Sequence, residues 1–176
     1  GTIEPRKGHA QALDAFDLLW EQGLDVNLVI VGKRGWLVDD LIRRISMHAE
    51  NGQRLLWLEG ISDEYLENIY KCCSCLIAAS LAEGFGLPLI EAPQKKMPIL
   101  ARDLAVFREV AGEYASYFCG TEPVALATAI EIWLDNFSKG IHPRSDGMPC
   151  LTWKESANSL LFQIGINTKK AENTDM

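Results

Sequence analysis

The chain has 176 residues, 48% hydrophobic and 23% charged, the make-up of one ordinary soluble domain with a real core; two domains would be cramped. A formal charge of -7 and a pI near 5.0 argue against a general nucleic-acid binder, which needs a broad basic surface, so an anionic ligand must be held by a local site. No apolar run approaches the roughly 20 residues of a membrane helix and no basic, then apolar, signal segment opens the sequence, so a cytoplasmic location is expected.

Along the chain, short apolar runs alternate with amphipathic stretches, the pattern of an α/β fold with a parallel sheet and helices on both faces. Residues 1–3 read as the tail of a strand clipped at Gly1. A helix over 9–21 carries Leu13, Phe16 and Trp20 on one face. Residues 27–31 form a strand ending at Gly32, and Leu37, Leu41, Ile42 and Ile45 stripe the next helix. After a strand at 54–58, Ser62 is placed to cap a helix over 63–72. A short strand at 76–79 enters the loop before Glu83, and a helix begins near Leu87 and Pro88, where proline's missing N–H costs nothing. Strands at 97–101 and 115–119 flank a helical turn at 107–110. Helices over 123–136 and 153–164 enclose a loop at 138–150, and the polar end of the chain is expected to fray.

The five cysteines, Cys72, Cys73, Cys75, Cys119 and Cys150, are odd in number and do not resemble a secreted disulfide framework. His9, His48 and His142 lie far from the Cys72–Cys75 cluster in sequence, so a four-ligand zinc site is disfavoured. The thiols are expected to be buried as small apolar groups.

Ligands of doubly wound sheets bind beyond the carboxyl ends of the strands. Three segments fall at such junctions: residues 4–8, 32–36 and 83–86. The first two each carry an Arg/Lys pair beside glycine, which lets backbone approach a phosphate while the cations supply charge; together these features suit a diphosphate. As plain solvated cations, Arg6 and Lys7 would be poorly placed at the positive end of a helix. For Lys33 and Arg34 a solvated role is as good a reading as a ligand role. Glu83 precedes a helix and Glu91 lies inside it; each carboxylate can accept two hydroxyls, which suits Glu91 to a ribose and Glu83 to a sugar ring. Two glutamates at this spacing mean nothing alone, and their force comes from the whole string EGFGLPLIE, Glu83 to Glu91. Trp36, Trp57, Trp133 and Trp153 are expected to pack in the core or against another domain. His9 is near the phosphate corner without an expected catalytic role, and Glu109 is expected to brace the fold.

EGFGLPLIE resembles the Glu, seven residues, Glu motif of family 4 (group 1) retaining glycosyltransferases, found in the C-terminal, donor-binding domain of GT-B enzymes. GTIEPRKG at 1–8, VGKRGW at 31–36, ISDEYL at 61–66 and FREVAG at 107–112 match as well. The resemblance covers about residues 1–165, taken as one nucleotide-sugar-binding, Rossmann-like domain, with 166–176 a polar tail. It implies that Arg6 and Lys7 hold the donor diphosphate, helped by the backbone N–H groups of Gly86 and Leu87. It also implies that Glu83 contacts donor-sugar hydroxyls near the reacting carbon, that Glu91 holds the ribose, and that Ile61 meets the nucleobase, with Lys33 secondary. The expected catalytic set is therefore Glu83, Lys7 and Arg6, and the donor-binding set Gly84, Phe85, Gly86, Leu87, Glu91, Lys33 and Ile61.

The implied reaction is retaining transfer from a nucleotide-diphosphate sugar, GDP-mannose being the first choice by general resemblance to bacterial surface-polysaccharide mannosyltransferases. The acceptor, a glycan or a lipid-linked saccharide, would be held by an N-terminal domain that this chain lacks, so the fragment alone is expected to be inactive. No Asp-x-Asp string occurs, consistent with a metal-independent enzyme, and no cofactor or metal is expected. No nucleic-acid partner is expected either, and the full-length enzyme is expected to associate peripherally with the inner face of the membrane. The chain departs from the family at Thr2, where many members have arginine, and at Gln94-Lys95-Lys96, where a small residue and glycine are usual; the helix end there is expected to differ in shape. Two other readings are a dinucleotide oxidoreductase using Gly84-x-Gly86, which lacks a third glycine because Leu89 stands there, and a non-catalytic module of the same fold. A Walker loop is excluded because its string is absent.

Overall fold

The computed structural model describes residues 1–151 and 153–164; the expected tail lies outside them. Among the described residues seven strands and seven α-helices follow one another: β1 (Thr2–Ile3), α1 (His9–Glu21), β2 (Leu28–Val31), β3 (Lys33–Arg34), α2 (Asp39–Ser46), β4 (Leu55–Leu58) and α3 (Asp63–Cys72) form the first part. The second comprises β5 (Leu76–Ala78), α4 (Pro88–Gln94), β6 (Ile99–Arg102), α5 (Ala105–Ala111), β7 (Ser116–Phe118), α6 (Pro123–Ser138) and α7 (Trp153–Gln163). All pairings are parallel, as the βα alternation requires: β1 with β3, β2 with β4, and β5–β6–β7 in that order.

The period-2 geometry of strands explains how two cores form on opposite faces of the sheet. In β6, Leu100 joins the cluster of Ile3, Leu13, Phe16, Leu28, Leu126 and Trp133 under α1 and α6. Its neighbours Ile99 and Ala101 join Leu89, Met97, Phe107 and Ala111 under α4 and α5. All four residues of β6 are buried, the mark of a central parallel strand covered by helices. Each large aliphatic side chain so removed from water contributes about 1.5–3 kcal/mol.

The strand expected to stop at Gly32 instead changes partner there. The Gly32 N–H bonds the Leu58 carbonyl at 3.1 Å, and the next N–H, from Lys33, bonds Gly1 at 3.0 Å on the other side. Lys33 and Arg34 are therefore strand β3 beside β1, and not a turn into a helix. β1 and β5 share no ladder among the described residues. They are fastened just past their ends, where the Leu81 N–H bonds the Arg6 carbonyl at 2.7 Å.

Several expectations change. Leu37 is 82% exposed with φ 50° and lies before α2; Val38 fills the core instead, because α2 starts only at Asp39, with Asp39 and Asp40 facing its positive end. Trp36 is exposed and so lies outside the core, whereas Trp133 is buried, and Trp57, partly buried, donates from its indole to Gly32 at 2.8 Å. The side chain of Trp153 lies outside those described. Cys72 and Cys119 are exposed and the other three cysteines half-buried, so the thiols are not a buried set. α5 is a full helix of seven residues where only a turn was expected. At the end of α4, Lys96 takes φ 58°, and bonds from Lys96 N–H to Pro93 and from Met97 N–H to Ala92, both 2.9 Å, close a Schellman cap with lysine in the left-handed position. Among the described residues no helix is long and apolar enough to cross a membrane.

Candidate functional site

The site begins where β1 ends. Pro5 fixes the first turn of a short 3₁₀ segment, Pro5–Lys7, and Gly8 then takes φ 73° to redirect the chain into α1. A Cβ at Gly8 would sit 2.1 Å from the Ala79 carbonyl oxygen, so only glycine lets this corner press on the end of β5. From that strand end the loop runs through buried Ser80 to Glu83.

Glu83 closes the corner. Its carboxylate receives Arg6 Nη1 at 2.9 Å and pairs with Lys7 Nζ, and it accepts from Ser80 Oγ at 3.1 Å. Arg6 also bonds the Ala82 carbonyl at 3.3 Å and pairs with Glu4 at 2.9 Å. The Glu83 side chain is only 11% exposed. Burial pushes its carboxyl up, but the hydrogen bonds from Lys7 and Arg6 outweigh it and hold it below the usual carboxylate value. The partner bonds raise Arg6 correspondingly. The catalytic trio read from the sequence is thus one three-residue cluster.

Next to Lys7, His9 is mostly buried. Burial, and then the Lys7 charge, lower its pKa to about 4, so the imidazole is neutral at neutral pH; its Nδ1 is enclosed without a hydrogen-bond partner. This neutral ring keeps further positive charge out of the corner.

Gly84 and Phe85 are exposed, and Gly86 is buried with φ 89°. A Cβ on Gly86 would meet Phe107 Cε1 at 2.7 Å, which ties the loop's approach to α4 to an aromatic ring of the core under α4 and α5. Leu87 is exposed just before α4. Glu91, in the first turn of α4, accepts from Tyr70 on α3 at 3.1 Å, and the Tyr70 hydroxyl is raised by burial and by Glu91. Ile61 is half-buried in the loop between β4 and α3. Lys33 is exposed on β3. A cavity of about 270 Å³ lined by Glu109, Val110, Gly112, Tyr114, Met148 and Pro149 contains none of the expected site residues.

One residue escaped the sequence reading. Arg102, at the end of β6, is buried and bonds the carbonyls of Ala79, Ser80 and Gly120 and the side chain of Gln11. A charged residue at the end of an apolar strand is the only signal that could have marked it.

The sequence profile of the family described as Glycosyl transferases group 1 matches residues 1–140. The chain belongs to that family. It is 52% identical over 166 residues to the serotype-specific mannosyltransferase WbdA of Escherichia coli, a match that takes in 94% of this chain and 20% of WbdA; the chain therefore spans about a fifth of that relative's length. Its fold is that of the C-terminal domain of a glycosyl transferase group 1 protein, LpcC, from Francisella tularensis, with TM-score 0.68 and 18% identity over 81% of this chain and 76% of the other. It also matches HepE from Anabaena, solved with UDP, with TM-score 0.67 and 20% identity over 83% of this chain and 40% of that one. Family membership removes the dinucleotide oxidoreductase reading, in agreement with the place of Gly84-x-Gly86 after the fifth strand instead of the first.

Proposed function

We propose that this domain holds the nucleotide-diphosphate sugar of a retaining glycosyltransferase, a mannosyltransferase in bacterial surface-polysaccharide synthesis. The observation that carries the reading is the convergence of Arg6 and Lys7 on Glu83 at the carboxyl ends of β1 and β5. Two cations there can take the charge that gathers on a leaving diphosphate, and fixed cations do so without reorganising at the moment of reaction. Binding of the diphosphate exchanges the partner of Arg6 and Lys7 from Glu83 to phosphate and turns the freed carboxylate toward the sugar hydroxyls. Glu91 holds the ribose, the loop at Ile61 meets the base, Gly84–Leu87 wraps the diphosphate, and Lys33 is a peripheral contact.

The similarity to WbdA favours GDP-mannose as donor and a saccharide acceptor, and the UDP bound to HepE supports a nucleoside diphosphate as the ligand class. Transfer proceeds without a metal, in the cytoplasm or at the inner face of the membrane, and requires the rest of the enzyme. The test is calorimetry of this chain with GDP, UDP and ADP, each with and without its sugar. Saturable binding of one nucleotide, stabilising the fold with occupancy, is expected, and no binding of any of them overturns the reading.

A further inference from the structure

Arg102 carries a full charge into the protein interior with no carboxylate in ion-pair distance among the described residues. Its compensation comes from carbonyl and amide dipoles and one aromatic ring. Nε donates to Ser80 O at 2.9 Å and more weakly to Ala79 O at 3.3 Å, and Nη2 donates to Ala79 O at 3.0 Å. Nη1 donates to Gly120 O and Nη2 also to Gln11 Oε1, while the guanidinium lies over the Phe118 ring at 4.9 Å. Burial lowers its pKa, yet arginine remains charged at any physiological pH. A buried cation without an anion is costly unless its hydrogen bonds are well made.

The direction of those bonds shows what the arrangement does. Ala79 and Ser80 form the stem of the loop that ends at Glu83. Ser80 gives its carbonyl to Arg102 and its hydroxyl to Glu83 at 3.1 Å, so one residue joins the buried guanidinium to the site carboxylate. Ala79 is also the residue against which Gly8 is pressed, and Leu81 N–H holds the Arg6 carbonyl. Gln11, on α1, completes the frame by donating to Glu122 O at 2.8 Å and Gly120 O at 3.4 Å. A planar fork can serve these diverging acceptors at once; an ammonium group at the same place cannot.

We infer that Arg102 is a positioning residue of the donor site, holding the Ala79–Ser80 stem so that Glu83 and the Arg6–Lys7 corner meet in register. The inference rests on the proposed donor role of that corner. The experiment uses Arg102→Lys, which keeps the charge and loses the fork, and Gln11→Ala, which withdraws one acceptor and leaves the buried arginine in place. Leu89→Ala is the control, a core change of comparable destabilisation outside this frame. GDP affinity is measured by calorimetry and the Glu83 carboxyl titration by NMR.

With wild type binding GDP, Arg102→Lys is expected to weaken it about tenfold and to move the Glu83 titration up toward the ordinary carboxylate range. Gln11→Ala is expected to shift both in the same direction by less, and Leu89→Ala to leave the titration where it is. If Arg102→Lys does not fold, Gln11→Ala decides. Unchanged affinity and an unchanged Glu83 titration in the folded variants overturn the inference while leaving the donor reading intact. Failure of wild type to bind GDP, UDP or ADP overturns the donor reading and this inference with it.

Discussion

Two corners of this domain share one sequence signature and differ in structure. Arg6-Lys7 precedes Gly8 and Lys33-Arg34 follows Gly32, so both offered an Arg/Lys pair beside glycine after an apolar run. In the first, a 3₁₀ turn and a left-handed glycine aim both cations at the partly buried Glu83. In the second, the cations lie on a continuing strand, and Arg34 pairs with Asp39 where both side chains are more than half exposed. What separates them is the carboxylate that arrives from 76 residues away, and no local pattern encodes that. Charge beside glycine is a common motif; a site needs a third element to give the charge a direction.

The sharpest test of the difference is alanine substitution at each corner in the full-length enzyme. Lys7→Ala should lower kcat about 10²–10³-fold, the usual consequence of removing one preorganised charge donor from a transition state. Lys33→Ala should change turnover less than threefold. Equal losses at both positions in steady-state assays would erase the distinction between the corners.

The first corner should also carry its own pH signature. His9 is held at about 4 by burial and by Lys7, below the roughly 6.5 of an unfolded histidine. Between these values the unfolded chain binds a proton that the folded chain refuses, so stability is full above about pH 6.5, falls as pH drops, and levels off below about 4. The difference corresponds to about 3 kcal/mol. Urea denaturation of wild type and His9→Asn across this window should show a steeper fall in wild type, the fall left in the variant coming from carboxylates held low by arginine such as Glu50 and Asp103. Glu83 acts in a lower window: its depressed carboxyl contributes stability that is present above the unfolded carboxylate range and lost as pH falls through the folded value. Glu83→Gln should therefore keep the His9 slope and flatten only the more acidic part of the curve. A His9→Asn profile parallel to wild type would show that the ring takes up its proton without penalty.

The sequence made the locally encoded features legible. Helix α1 was bounded correctly by its apolar face, Ser62 does accept from the Tyr65 N–H as an N-cap, and Pro88 opens α4. Each of these signals is decided within one turn of chain. What stayed hidden depends on distant partners. Leu37 and Val38 are equally apolar, and only the start of α2 decides which of them is buried. Gly32 looked like a terminator because its change of partner from β4 to β1 involves strands on either side. Arg102 fell just past the strand expected at 97–101 and drew no reading, since its acceptors at Ala79, Gly120 and Gln11 come from three distant segments. Glu83, Arg6 and Lys7 were named individually through the motif, but their direct contact with one another was visible only in the fold.

A smaller effect is expected at the end of α4, where the chain keeps a glycine conformation without glycine. Lys96 at φ 58° bears the left-handed strain of an L side chain, of order 1–2 kcal/mol. Lys96→Gly relieves it but gives the unfolded chain more freedom, leaving a net gain of about 0.5–1 kcal/mol by chemical denaturation. Lys96→Ala keeps the strain and should be nearly neutral. A gain of equal size with alanine would point to the loss of the lysine charge instead of the backbone.

The smallest effect belongs to the second corner and completes the contrast. Arg34→Ala removes an ion pair to Asp39 whose members are 54% and 76% exposed, a class worth about 0–1 kcal/mol and screened by salt. The backbone of β3 does not depend on that side chain, because Arg34 N–H is held by Glu59 at 2.9 Å and the strand pairs with β1 through main-chain bonds. Stability should shift by less than about 0.5 kcal/mol, and GDP affinity by less than twofold, in low salt as in high. A clear loss of affinity that vanishes on adding salt would mean that the field of this exposed pair reaches the ligand, and the division between a directed and an undirected cation corner would have to be redrawn.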